Sequence, residues 1–349
     1  MQLCMAYVAE QVKTAAAVGV AVFRSAPRRY AMRTMFRILP VLAATTLGAC
    51  AFSSHPTKPS ALGTSRSSAE LLAVVDQPGP IELQTIAAAD WAVDRSGLLN
   101  LQHPRAKAAG LTDGDEPIQL FFHVVRHPTQ GMYIIDSGVE RALRDDPDHA
   151  AVRGLAARFM HREKLKIHVP LGEWLSRQNE PLRGVLLTHL HLDHVMGIPD
   201  VPKGTPIFTG PGETGARAFL NVVVRPNIDR EFEGQAPIQE WQYQPDAAGR
   251  FAGVLDVFGD GSLWALSVPG HTHGSTAYLA RTPKGAVLFT GDTCHTAWGW
   301  ENDVEPGTFT ADHPGNAESL ARLRTLVREH PTIDVRLGHQ PLTGSSGGH

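Results

Sequence analysis

In this 349-residue chain, the run Thr188-His189-Leu190-His191-Leu192-Asp193-His194 sets the strongest limit on the fold. Successive side chains on a strand point to opposite faces, so three imidazoles and a carboxylate at this spacing cannot all converge from a regular strand. Convergence requires the strand to end, pass into a loop and turn into a helix. Residues 184–187, Gly-Val-Leu-Leu, read as a short buried strand that delivers Thr188 and the cluster at its C-terminal end. A lone histidine is usually packed or solvated, but this density of imidazole and carboxylate makes a solvated loop the poorer reading. Such donors suit Zn²⁺ and also accept Fe or Mn.

The pattern around the cluster is one of strand pairs separated by helices. Residues 118–126 and 132–136 are apolar runs joined by His127-Pro128-Thr129-Gln130-Gly131, a strand–turn–strand unit. A helical stretch is expected around 152–164. Gly259-Asp260-Gly261-Ser262 and Thr282-Pro283-Lys284-Gly285 each sit between apolar runs, giving two hairpins. Asn316 is expected to cap a helix that carries Leu320, Leu323 and Val327 on one face and ends near His330-Pro331. Residues 333–337 then form a strand delivering Gly338-His339. This implies an α/β fold with two sheets packed together and helices outside, although other α/β layers fit the same pattern. Residues 225–250, with Phe232, Trp241 and Tyr243, are weakly periodic and are expected to be a lid, a dimer-contact insertion or a surface excursion.

With 32 Lys and Arg against 35 Asp and Glu, the formal net charge of −3 gives no electrostatic reason to expect a nucleic-acid partner. Arg28, Arg29, Arg33 and Arg37 precede a short apolar run over 38–47, too short to span a bilayer as a helix. That run closes on Leu47-Gly48-Ala49-Cys50, which resembles the lipobox of bacterial lipoproteins, with a plain secretory signal as the other reading. Residues 1–50 are thus expected to be a targeting segment, with the true start at Met32 or Met35. The lipobox reading implies a periplasmic protein held at the membrane by a lipid on Cys50. Residues 51–70, rich in Ser, Thr, Pro and Ala, are expected to be a flexible tether, and 71–349 the folded domain. Of Cys4, Cys50 and Cys294, only Cys294 then remains free, so no internal disulfide is available.

The cluster and four further motifs, one before it and three after, together resemble the metallo-β-lactamase superfamily, whose signature is His-x-His-x-Asp-His. Asp136 in Ile134-Ile135-Asp136-Ser137-Gly138, His271 in Pro269-Gly270-His271-Thr272, Asp292 in Thr290-Gly291-Asp292-Thr293 and His339 in Leu337-Gly338-His339 follow in that family's order. The resemblance implies an αββα sandwich of two mixed sheets with helices outside. It implies that His189, His191 and His271 hold one divalent metal ion, that Asp193, His194 and His339 hold the other, and that Asp292 bridges them. Asp136 would support the ligands without binding metal. The implied activity is hydrolysis, in which a hydroxide shared by two metals attacks an acyl or phosphoryl centre and Asp193 or Asp292 carries a proton to the leaving group.

Asp292 points away from the β-lactamases of this superfamily, which generally place a cysteine or serine thereabouts. The tail from Pro341 to His349 carries no Lys or Arg, which weakens a glyoxalase-II-like thioesterase reading. The nearest resemblance is to lactonase-like members, including N-acyl-homoserine lactonases. Those commonly have a tyrosine three residues after the bridging aspartate, where this chain has His295. Two readings of His295 stand: a catalytic hydrogen-bond donor to the substrate carbonyl, or a residue beside the site without that role. Trp298, Trp300 and Phe309 either wall an apolar pocket or pack the fold. His273 is expected not to be a ligand, and Cys294 not to be a nucleophile. The expected function is thus a dinuclear metal hydrolase, most simply with zinc, acting on a small lactone, ester or related acyl substrate. The alternatives are β-lactam, thioester or phosphoester hydrolysis, di-iron redox chemistry, or a metal-holding lipoprotein without activity.

Overall fold

A computed structural model of the protein describes residues 51–217 and 221–342. The targeting motif, Cys50, the alternative start positions and most of the C-terminal tail lie outside the described residues. Among the described residues, fourteen strands form two sheets. In chain order they are β1 (Thr57–Pro59), β2 (Thr64–Arg66), β3 (Glu82–Asp94), β4 (Asp115–His127), β5 (Gly131–Ile135), β6 (Lys166–Ile167) and β7 (Leu182–Leu186). There follow β8 (Ile207–Thr209), β9 (Ile238–Glu240), β10 (Val254–Asp256), β11 (Leu263–Ser267), β12 (Thr276–Thr282), β13 (Gly285–Phe289) and β14 (Asp334–Arg336). The first sheet runs β1-β9-β8-β7-β5-β4-β3-β6 and the second β14-β13-β12-β11-β10-β2. Both are mixed: β1, β9, β8, β7 and β5 pair in parallel before β4 and β3 reverse, and only β13 and β14 are parallel in the second sheet.

The alternation of side chains explains the layering. On β5, Tyr133 and Ile135 enter the core between the sheets, while Met132 and Ile134 face the core on the outer side of the first sheet. On β12 and β13, Tyr278, Ala280, Val287 and Phe289 point between the sheets, and Ala277, Leu279, Ala286 and Leu288 point outward. All are buried, so each sheet is covered on both faces, as strands in α/β layers require. The helix His313–Glu329 covers the second sheet through Leu320, Leu323 and Leu326. This is the expected αββα sandwich. A buried polar bridge crosses it: Tyr278 donates to the Leu187 carbonyl at 3.1 Å and accepts from Trp241 Nε1 at 3.1 Å.

Several expectations need correction. Residues 51–70 are no free tether: β1 pairs with β9, β2 pairs with β10, and Ser53 and Ser54 hydrogen-bond Asp229. Their polar composition suits exposed edge strands, whose backbone supplies the binding, so composition alone misleads there. Residues 225–250 are no lid. Their helix, Asn221–Glu231, and β9 bury Ile228, Phe232, Ile238 and Trp241 completely, and Trp241 stacks on Phe208 with ring centroids 4.8 Å apart. The stretch 152–164 holds only a short helix, Leu155–Phe159, and a 3-10 turn, Arg162–Lys164. The last long helix is capped by Asp312, whose side chain accepts from Gly315 N, and Pro314 is accommodated in its first turn. Asn316 lies inside that helix and serves the site instead.

Candidate metal centre

Each member of the sequence-predicted set stands just beyond the C-terminal end of a strand. Asp136 follows β5, the 188–194 run follows β7, His271 follows β11, Asp292 follows β13 and His339 follows β14. β5 and β7 are parallel, β13 and β14 are parallel, and β11 and β13 both run antiparallel to β12. Strand direction therefore brings all the ligand loops to one edge of the sandwich. At the end of β7 the chain turns into the short helix Leu192–Val195, which swings Asp193 and His194 round toward His189. Gly338 permits the last approach, since a Cβ there would sit 2.1 Å from Asp292 Oδ1.

The side chains converge in two groups. His189, His191, His271 and Asp292 form one, and Asp193, His194, His339 and Asp292 the other, with the ligand atoms of each group all within 4.8 Å of one another. His271 Nε2 lies 3.2 Å from His189 Nε2 and 2.8 Å from His191 Nδ1. Asp292 Oδ2 is the common point. His194, His339 and His271 place Nε2 at 3.2, 3.3 and 3.5 Å from it, His189 at 3.7 Å and His295 at 2.9 Å. His194 Nε2 and Asp292 Oδ1 are buried without a hydrogen-bond partner. Nitrogen and carboxylate oxygens crowded this closely, with lone pairs unmatched by hydrogens, fit a pair of divalent cations.

Charge separates the two groups. Burial pushes the His191 imidazole down to about 4 and holds His189 and His271 well below the usual range, so their nitrogens present lone pairs. In the second group burial is outweighed by Asp292 and its neighbouring carboxylates, which lift His339 to about 10 and His194 well above its usual value. Against the opposing effect of burial, His295, His339 and His194 hold Asp292 well below the carboxylate range, and His194 and His339 do the same for Asp193.

Buried partners aim the rings. Asp136, held at a positive φ of 55°, takes Thr188 N at 2.8 Å and His194 Nδ1 at 2.8 Å, as its family motif implies. His339 Nδ1 donates to the Gln119 carbonyl at 3.0 Å. Asn316 accepts from His271 N and donates to the Thr293 carbonyl, tying the His271 and Asp292 loops together. Glu213, which sequence reading missed, does the same for the first group. One carboxylate oxygen takes Leu190 N, between His189 and His191, at 3.1 Å, and the other takes Gly274 N, beyond His271, at 2.7 Å. No local signal marked it, since its partners are backbone groups far away in sequence.

The remaining candidates divide. His295 is buried beside the set, with Nδ1 donating to the Leu98 carbonyl at 3.0 Å and Nε2 facing Asp292. His273 is exposed and belongs to neither ligand group. Cys294 is buried, and burial pushes its thiol up to about 12, which suits no nucleophile. Trp300 packs into the core of the second sheet, while Trp298 is half-buried and Phe309 is 39% exposed.

Glu213→Gln replaces one acceptor oxygen by a donor and breaks one of the two loop contacts. The variant is expected to bind metal about 10–100-fold more weakly at the His189, His191 and His271 group only, as loss of an outer hydrogen bond typically does. Chelator competition resolves the two groups; equal weakening at both, or none, contradicts the assignment.

A model of the metallo-beta-lactamase superfamily matches residues 123–339. The chain is 29% identical over 260 residues to an N-acyl homoserine lactonase AttM of Rhizobium johnstonii, covering 72% of this chain and 93% of that protein. It is 31% identical over 255 residues to an AttM of the same description from Rhizobium radiobacter, covering 71% of this chain and 91% of the relative. The fold is similar to the crystal structure of a quorum-quenching N-acyl homoserine lactone lactonase, at TM-score 0.55 and 19% identity, covering 78% of this chain and 97% of that one. With the ligand motifs joined at one sheet edge in this way, the chain belongs to the metallo-beta-lactamase superfamily, as a lactonase-like metal-dependent hydrolase.

Proposed function

We propose that the chain is a dinuclear hydrolase that opens a lactone or a related ester, with an acyl homoserine lactone as the first substrate class to try. The observation that carries this reading is the complete donor set around Asp292, read beside relatives described as N-acyl homoserine lactonases. Two divalent ions in these groups, zinc by donor chemistry, would supply Lewis acidity toward the acyl oxygen and a water made nucleophilic near neutral pH.

The chain's own residues then have distinct tasks. Asp292, with a 2% exposed side chain ringed by imidazoles, fixes the spacing of the two groups and is too enclosed to meet a leaving group. Asp193 is the accessible carboxylate, with an 18% exposed side chain. Its exposure at the open side of the set places it to accept the proton released by the attacking water and pass it to the leaving oxygen. His295, its ring fixed by Leu98, keeps Nε2 against Asp292 and steadies that carboxylate during turnover. Turnover equal to wild type in His295→Phe would remove it from the mechanism.

Asp193→Asn keeps an oxygen ligand but cannot carry the proton. Its kcat toward an aliphatic lactone is expected to fall by about 10²–10⁴-fold. An aryl ester, whose phenolate leaves without a proton, is expected to lose far less. Equal losses on the two substrates, with metal content unchanged, would assign the proton elsewhere.

We also propose export and attachment to the membrane through Cys50, supported by the basic and apolar residues before Leu47-Gly48-Ala49-Cys50. Cys50→Ser is expected to abolish lipid labelling and release the protein from membranes; unchanged labelling contradicts the anchor.

A further inference from the structure

The ligand set is closed on most sides. His189, His194, His271, Asp292 and His339 are each no more than 4% exposed. His191 and Asp193 are half-buried, so a substrate reaches the centre across these two. Against His191 lies the ring of Phe52, with centroids 5.7 Å apart and planes inclined at 46°. Phe52 is half-buried and rests on the apolar core of the first sheet.

Its position is fixed from both flanks. Ser53 N donates to the Thr214 carbonyl at 3.1 Å, and Ser53 Oγ and Ser54 N each donate to Asp229 Oδ1 at 2.7 Å. Ser54 Oγ donates to the other oxygen of Asp229 at 2.6 Å, and His55 Nε2 donates to the Ala236 carbonyl at 3.0 Å. The strap then enters the first sheet as β1 beside β9, and on its other side Ala51 bridges to Arg217. An aromatic ring usually just fills space. Here it is held against the one imidazole ligand that solvent reaches, by a segment with no other apolar side chain between Ala51 and Pro56.

We propose that Phe52 is a specificity-determining residue: the strap of residues 51–56 forms a fixed apolar wall beside His191, and that wall takes the apolar acyl tail of the substrate. The identity of the reaction rests on the hydrolase reading above, whereas the position of the wall does not. A tail laid along Phe52 loses water-exposed surface from both partners, so longer tails gain most from it. A rigid strap also has little ordering entropy left to lose when the tail binds.

The test uses the full chain loaded with zinc. Phe52→Ala is expected to raise KM for a decanoyl lactone about tenfold while leaving a butanoyl lactone within about twofold, with kcat and metal content unchanged. Phe52→Leu, which keeps an apolar side chain, is expected to restore most of the long-chain preference. A change equal at all tail lengths, or none, overturns the proposal. If the wild-type protein opens no lactone, the lactonase reading fails instead. Calorimetric binding of decanoate and hexanoate then decides the wall alone. Selective weakening of decanoate in Phe52→Ala supports it, and equal weakening overturns it.

Discussion

Everything at the catalytic edge depends on one buried carboxylate oxygen. Asp292 Oδ2 lies within 3.7 Å of the Nε2 atoms of His189, His194, His271, His295 and His339, which arrive from four separate loops. A buried carboxylate is costly unless its charge is compensated, and a cluster of buried imidazoles needs a common acceptor or cation. The two costs cancel only if the loops meet. Strand direction makes that meeting possible, and the outer hydrogen bonds from Asp136, Asn316, Glu213 and the Gln119 carbonyl make it specific.

Those outer bonds divide the work between the groups. Asp136 and the Gln119 carbonyl aim His194 and His339, and Glu213 and Asn316 clamp the backbone around His189, His191 and His271. The first group is thus set by the placement of its backbone, the second by bonds to the imidazole rings themselves. Each group keeps one half-buried ligand, His191 in the first and Asp193 in the second, so the centre opens outward across these two. The strap that carries Phe52 extends the same design outward, because its backbone bonds fix a side chain at the entrance.

The strands and the histidine cluster were legible in the sequence because both depend on local pattern, whereas the αββα layering and the ligand assignment came from the family resemblance. Apolar runs bounded by turn residues marked the strands β4, β5, β12 and β13, and the ligand motifs sit at strand ends where the apolar run stops. Glu213 and Asn316 were not legible as site residues, since each acts on backbone groups distant in sequence. The 51–70 segment misled because its composition is that of a linker, while its β1 and β2 pairings depend on backbone hydrogen bonds that any residue except proline can donate. Residues 225–250 misled for the opposite reason. Their apolar residues are spaced for neither a helix nor a strand, yet Phe232 and Trp241 fill the core through long-range packing.

The central claim is that Asp292 joins two metal groups into one centre, and metal titration of purified protein tests it most directly. The account predicts two divalent ions per wild-type chain, with Asp292→Ala weakening both groups and abolishing hydrolysis while circular dichroism shows the fold intact. An Asp292→Ala variant that still bound two ions at wild-type affinity would contradict the account.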